Sequence, residues 1–241
     1  MTAMRFESWH LTSRAHLVLE AAEVAALDES HLHHLFDVRR LDVGDLVTLC
    51  DGAGTLRRAE VVRVQAQAPS RRGQRRERGL TLLAKGAPET FAVPEFNIEM
   101  VLAMIDFSKL EIALSKLTEL GVSEITLVEA RRSLSVAGGA KRVTPERITR
   151  LLRESASQCR SLFLPKVTFQ TMESVLARVT VCERGAPAMQ VRPRALLIGP
   201  EGGFEAGEIP EGVRKVSLPG HVLRAETAAI AAAAIALSLT E

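Results

Sequence analysis

The chain has 241 residues, 46% hydrophobic and 25% charged, which is enough apolar material for one or two domains of ordinary size and excludes a disordered or disulfide-stapled chain. Its longest apolar run, residues 228–237, falls far short of the roughly 20 residues that span a bilayer, and charges recur through residues 1–20, so a soluble cytoplasmic protein with no membrane segment and no signal peptide is expected. The net charge of +2 conceals an asymmetry: residues 57–85 and 131–166 each carry nine basic and two acidic side chains, or +7 apiece, leaving −12 for the remainder. A face turned toward a polyanion produces that pattern, and so do ordinary solvated surfaces. Cys50, Cys159 and Cys182 lack CxxC spacing, so buried reduced thiols are expected rather than disulfides or zinc.

In chain order, β-rich stretches come first. Residues 46–49 and 59–64 flank the turn former Asp51-Gly52-Ala53-Gly54, which implies a small barrel. Residues 69–79 read PSRRGQRRERG, with five arginines and no apolar period, as an exposed linker would. The expected organisation is therefore a barrel domain over 1–70, a basic linker over 71–79 and a second domain over 80–241. Strands are predicted at 80–84 and 97–104. Ser108 then caps a helix with Glu111 at the capping-box position, Leu110, Ala113, Leu114, Leu117 and Leu120 share one face, and Gly121 provides a left-handed stop. After a strand at 122–128, a second helix begins at Thr144-Pro145; Ile148, Leu151, Leu152 and Ala156 turn inward while Arg147, Arg150 and Arg153 turn outward. A buried run, residues 195–198, enters Gly199; a strand at 213–218 precedes an alanine-rich helix over about 225–237. Alternating β and α elements predict an α/β domain with a parallel sheet, whose ligands sit beyond the strand C-termini, at loops 199–204 and 219–224.

The first of those loops, GPEGGF, has three glycines that permit close backbone approach to a ligand. It lacks the Lys-Ser/Thr pair of a phosphate loop, and no GxGxxG opens a helix, so ATPase and dinucleotide readings are poor. Taken alone it is equally an ordinary tight turn. It is followed, however, by LPGHVLRAETA at the start of the alanine helix.

The pair LLIGPEGGF and LRAETAA resembles the cofactor signature of the SPOUT class of S-adenosylmethionine-dependent RNA methyltransferases. The closest resemblance is to the bacterial 16S rRNA uridine-N3 methyltransferase family. KLEIALSKLTELGVSEI, SQCR followed by LPKV, and HLFDVRRLDVGDLVTLCDGAG match the same family in the same order. The resemblance implies a PUA-like β-barrel that binds RNA, then a SPOUT-type α/β domain with a deep trefoil knot and a parallel sheet. It also implies a homodimer, S-adenosylmethionine as methyl donor, and 16S rRNA or the small ribosomal subunit as partner. The implied donor-binding residues are Leu197, Gly199, Glu201, Gly202, Leu218, Gly220, Leu223 and Ala228, acting largely through backbone groups.

Methylation at uridine N3 requires loss of a weakly acidic proton, so the site needs positive charge beside the developing uracil anion and a proton acceptor. Arg224 matches the arginine of the family's LR-x-ETA motif and is the candidate for orienting substrate; a salt bridge to Glu226 is its competing role. Glu201 and Glu226 hold loops or accept a proton, with loop holding the preferred role for both. No metal is required, and His31, His33 and His34 read as barrel or surface histidines. The chain departs from the family at Asp37 and Asp106, which replace cations, at Arg160-Ser161-Leu162 and at Ala225. Either arginines such as Arg39, Arg131 and Arg160 compensate, or the target differs. The alternatives are a non-catalytic or retargeted RNA-binding protein that keeps the fold, and an unrelated α/β enzyme for another small nucleotide.

Overall fold

A computed structural model describes residues 12–19, 40–66, 78–93, 98–133 and 143–239. Asp37, Arg39, His31, His33, His34 and most of the arginine-rich stretch lie outside the described residues. The chain divides into two units: residues 1–93 with 156–163, and residues 94–155 with 164–241.

The first unit holds a four-stranded sheet in the order β1 (Ala15–Val18), β2 (Leu46–Cys50), β3 (Thr55–Ala66), β4 (Arg78–Thr90). β1 runs parallel to β2, and the other pairs are antiparallel. The β2–β3 turn closes on Asp51, whose Oδ1 accepts from the backbone N–H of Ala53 at 2.7 Å and of Thr55 at 2.9 Å. Leu17, Val47, Leu49, Ala59 and Val61 form the core. The predicted strand at 80–84 lies inside β4 and pairs with β3, whereas the sequence reading placed it in the second domain. The arginine-rich stretch thus connects two antiparallel strands, and the units part after Val93. Composition registers only that a segment is exposed; which strand satisfies the backbone groups beyond it is a non-local matter.

Residues 156–163 belong to this unit through specific bonds. His16 Nδ1 lies 2.7 Å from Thr48 Oγ1, and its Nε2 lies 3.1 Å from the Ser161 carbonyl. Arg160 donates from Nη1 to Ser13 Oγ and from Nη2 to the Ser13 carbonyl, both at 2.7 Å. Arg160, expected to face RNA, is therefore an internal anchor.

The second unit carries a six-stranded, all-parallel sheet in the order β10-β8-β9-β5-β6-β7. Its elements are β5 (Glu99–Ala103), α1 (Phe107–Glu119), β6 (Glu124–Val128), α2 (Pro145–Cys159), β7 (Lys166–Gln170), α3 (Met172–Leu176), β8 (Thr180–Cys182), β9 (Ala195–Ile198), β10 (Lys215–Val216) and α4 (Ala225–Ser238). The two-residue side-chain period of buried strands sorts the core. Met100, Leu102, Ile125, Leu127, Leu196 and Ile198 face α1, α2 and α4, while Val101, Ala103, Val128, Val181 and Leu197 face Met172 and Val175 of α3. α4 packs closely because its buried positions 229, 232, 233 and 236 are all alanine. Arg192 donates to the carbonyls of Ala236, Leu237 and Leu239, placing a cation at the negative end of that helix.

Two helix expectations change. α1 starts before Ser108: the N-cap is Asp106, whose carboxylate accepts from the Ser108 backbone N–H at 3.0 Å and from its hydroxyl, and these bonds hold the Asp106 carboxyl below its ordinary pKa. A carboxylate one residue ahead of the helix reaches the free N–H groups of the first turn, and so outcompetes the serine. Glu111 is consequently not a capping partner and pairs instead with Arg147 at 2.8 Å. Arg147, expected on the outer basic face, also stacks 3.9 Å above the Phe107 ring. Gly121, with φ of 78°, ends α1 as anticipated. α2 begins after Thr144, whose Oγ1 accepts from the Arg147 N–H. Cys50 is buried but Cys159 is exposed, against expectation, and none of the three forms a disulfide. Among the described residues no helix is long and apolar enough to cross a membrane.

Candidate active site

From β5 the chain steps outward to β6 and β7, then crosses to β8 and fills the space beside β5 with β9 before ending at β10. The strand order therefore reverses between β5 and β9, and a crevice opens beyond their carboxyl ends. A cavity of 680 Å³ lies there, lined by the loop after β9, the loop after β10 and Ala225 and Ala228 of α4. Cys182 and Glu183 at the end of β8 close one side. Burial pushes the Cys182 thiol up to about 12, so it is an inert wall.

The loop after β9 is held from several directions. Glu208, buried, accepts from the Arg131 N–H at 2.7 Å and from the Glu205 N–H at 2.8 Å, tying the loop after β6 to this one. Arg132 Nη1 donates to the Gly202 carbonyl at 3.0 Å. Lys109, in the first turn of α1, donates to Glu201. That hydrogen bond is the main reason the Glu201 carboxyl lies below and the Lys109 ammonium above its ordinary pKa. The Phe204 ring packs so closely under Gly199 that a Cβ there would sit 2.9 Å from it. Arg131 and Arg132 lie 3.6 and 3.8 Å from Glu205.

Gly199, Glu201, Leu218, Gly220, Leu223 and Ala228 all line the cavity. Gly220 adopts φ of 95°, a left-handed conformation that only glycine takes without strain. Leu197 and Gly202 are placed differently. The Leu197 side chain is fully buried on the α3 side of the sheet, and a Cβ on Gly202 would point at Arg132, 3.4 Å away.

Arg224 is the N-cap residue of α4 and makes no side-chain cap bond. Glu226 follows in the first turn, 8% exposed, and its Oε2 has no hydrogen-bond partner. The competing Arg224–Glu226 salt bridge is not formed. Both charges act on Lys109, with Glu226 raising and Arg224 lowering its proton affinity. Lys109 and Glu208 were not singled out in the sequence. Lys109 sat inside a recognised motif with nothing to distinguish it from a solvated helix lysine, and Glu208 gave no local signal. Among the described residues, no group of three or more His, Cys, Asp or Glu side chains is arranged to hold a metal.

The RNA methyltransferase domain family matches residues 93–237, and the RNA methyltransferase PUA domain family matches residues 27–68. The first match begins where the two units part. The chain is 24% identical over 234 residues to ribosomal RNA small subunit methyltransferase E 2 of Borreliella burgdorferi, covering 89% of this chain and 90% of that one. It is 23% identical to ribosomal RNA small subunit methyltransferase E of Rickettsia conorii, covering 96% and 95%. Its fold is similar to that of the Neisseria gonorrhoeae ribosomal RNA small subunit methyltransferase E bound to S-adenosyl methionine, with a TM-score of 0.67, 23% identity and coverage of 92% and 95%.

Proposed function

This chain belongs to the RNA methyltransferase family, and from that premise we propose that it transfers a methyl group from S-adenosylmethionine to N3 of a uridine in 16S rRNA of the small ribosomal subunit. The observation that carries the reading is the 680 Å³ cavity beyond the parallel strands, walled by two glycine-bearing loops. The donor is cationic at its sulfonium and ammonium groups and anionic at its carboxylate, and the wall offers both signs, with Glu183, Glu201 and Glu205 beside Arg184 and Lys215. Gly199, Gly220, Leu218 and Leu223 offer backbone donors and acceptors to adenine, ribose and methionine moieties, while Leu197 and Gly202 support the loop from behind. The relatives named small subunit methyltransferases support the rRNA substrate.

When bound, the donor supplies an electrophilic methyl group; the protein aligns the uridine and manages its proton. Arg224, whose guanidinium makes no hydrogen bond or salt bridge among the described residues, is the candidate to stabilise the uracil anion, and Glu226 is the carboxylate nearest in sequence that can accept a proton; both flank the cavity-lining Ala225 without lining the cavity themselves. The first unit binds RNA as a PUA-like domain. α4 returns from the sheet edge to pack on α1, β9 and β5 at the centre, a path that suits threading through a trefoil knot. Because α4 is apolar on every side from Ala228 to Leu237, with Ala234 exposed and Ile230, Ala231 and Leu237 half-buried, its outer face suits a second copy of the chain, which supports a homodimer. The protein then acts in the cytoplasm, on nascent or assembled small subunits.

Calorimetry in the presence of chelator tests donor binding: stoichiometric heat with S-adenosylmethionine is expected, and no heat at millimolar donor, or equal heat with ATP, removes the reading. Mass spectrometry of rRNA nucleosides from cells with and without the protein tests the product. Binding of donor and RNA without any methylated nucleoside would favour the non-catalytic alternative. Sedimentation of the full chain tests the dimer; an excised 80–241 fragment would sever β4 from its sheet.

A further inference from the structure

The cavity wall holds more charge than it leaves free. The carboxylate, lysine and arginine side chains that line it are Glu183, Arg184, Glu201, Glu205 and Lys215. Glu201 is paired with Lys109, and Glu205 lies against Arg131 and Arg132. Lys215, on β10, sits 2.8 Å from Oε2 of Glu183, the residue that follows β8. Each carboxylate of the wall therefore has a cationic partner, and Lys215 is taken up by one of them. Arg184 is exposed and makes no hydrogen bond or salt bridge among the described residues, so the uncompensated charge of the wall is positive. The turn that carries it is fixed from both ends. The Glu183 N–H donates to the Val216 carbonyl and the Ser217 N–H to the Pro187 carbonyl, both at 2.8 Å, while the Ala186 N–H donates back to the Glu183 carbonyl at 3.4 Å. Gly185 closes the turn at φ of 86°. A guanidinium on a fixed base, with its donors unused, is a preorganised receptor for an oxyanion.

We propose that Arg184 is a specificity-determining residue that receives the carboxylate of the methyl donor. This rests on the methyltransferase reading of the same cavity. S-adenosylmethionine carries a single anionic group, on the carbon that also bears its ammonium. Glu183 precedes Arg184 in the chain and lines the same cavity, so consecutive residues offer the two signs that the amino-acid end of the donor presents. Glu183 engages Lys215 through one oxygen only. An RNA phosphate is the other source of anionic oxygens, but it would meet Arg184 with a carboxylate beside it and be repelled by that neighbour.

Calorimetry on the full chain compares S-adenosylmethionine with decarboxylated S-adenosylmethionine, which lacks only that carboxylate. Wild type is expected to prefer the intact donor about tenfold. Arg184→Met should abolish the preference by weakening the intact donor about tenfold, with the decarboxylated donor unchanged or slightly tighter because it loses a like charge. Arg184→Lys should restore part of the preference. S-adenosylhomocysteine, which keeps the carboxylate without the sulfonium charge, should lose the same factor as the intact donor in Arg184→Met. Equal weakening of all three ligands overturns the proposal, as does a preference that survives Arg184→Met and disappears in His221→Gln, the histidine of the facing loop. A variant that keeps the donor preference but binds RNA more weakly, with a shallower salt dependence, assigns Arg184 to a phosphate and overturns it too. If wild type binds neither donor, the methyltransferase reading fails first and this inference falls with it; if it binds both equally, this inference alone is overturned.

Discussion

The two walls of the cavity are built in opposite ways. The loop after β9 is fixed by Glu208 and Arg132, which tie it to the loop after β6, and by Lys109, which ties it to α1. Among the described residues, 218–223 in the loop after β10 make no hydrogen bond, and Val222 is 76% exposed. One wall is organised before a ligand arrives. The other carries the apolar side chains Leu218, Val222 and Leu223 on an unanchored backbone, which suits a segment that orders against its ligand.

Breaking the anchored wall should have the largest effect. Glu208→Ala removes the acceptor of two backbone N–H groups, so chemical denaturation should show a loss of about 2 to 4 kcal/mol and calorimetry a parallel fall in donor affinity. Unchanged stability would mean that this wall is no more fixed than its counterpart.

Gly199→Ala comes next. Its new Cβ would meet the Phe204 ring, which is packed against the core beneath the loop, at an expected cost of about 1 to 3 kcal/mol. The ring should be driven toward the cavity, and donor affinity should fall by more than the loss of stability explains.

The free wall should respond less. A Cβ on Gly220 meets nothing within 4 Å, so Gly220→Ala carries only the conformational penalty of its φ, about 1 kcal/mol. Val222→Ser should leave stability within about 0.5 kcal/mol of wild type, measured as a shift in denaturation midpoint, while weakening donor binding. If Val222→Ser destabilised the ligand-free protein as much as Glu208→Ala does, the contrast between the walls would collapse.

The smallest effect concerns pH. Glu201 has its carboxyl lowered in the folded protein, so its contribution is present above pH 4.5 and lost as pH falls through the folded value. Lys109 is raised, so its contribution is complete below pH 10.5 and lost as pH rises through its folded value. Both side chains are more than a third exposed to water, which screens the pair to a small stabilisation. Donor affinity should therefore be nearly flat from about pH 6 to about pH 9 and decline toward either extreme. A transition near neutrality would assign the loop to some other titrating group.

Local physics made much of the fold legible. The apolar face of α1 and its stop at Gly121 follow from a 3.6-residue period and one left-handed glycine, and Ala195–Ile198 announced a strand buried on both faces. The two cavity loops were legible as well, because their glycines and the sequences around them are contiguous. β1, β7, α3 and β8 were not: each spans three to five residues and, unlike β9, none is an uninterrupted aliphatic run.

What the sequence alone determined was thus where the cavity loops lie and which helix follows them. The tertiary structure decided which polar groups meet. Lys109 finds Glu201 across 92 positions, the Arg131 backbone N–H finds Glu208 across 77, and Arg160 finds the Ser13 hydroxyl across 147. It also decided that Asp106, which read as a lost cation, is a helix cap, and that Arg147 neutralises Glu111 rather than facing outward. Periodicity and turn propensity act over a few residues, whereas an ion pair depends on two side chains brought within a few ångströms by the whole packing of the sheet. A single chain of letters carries no local trace of that distance.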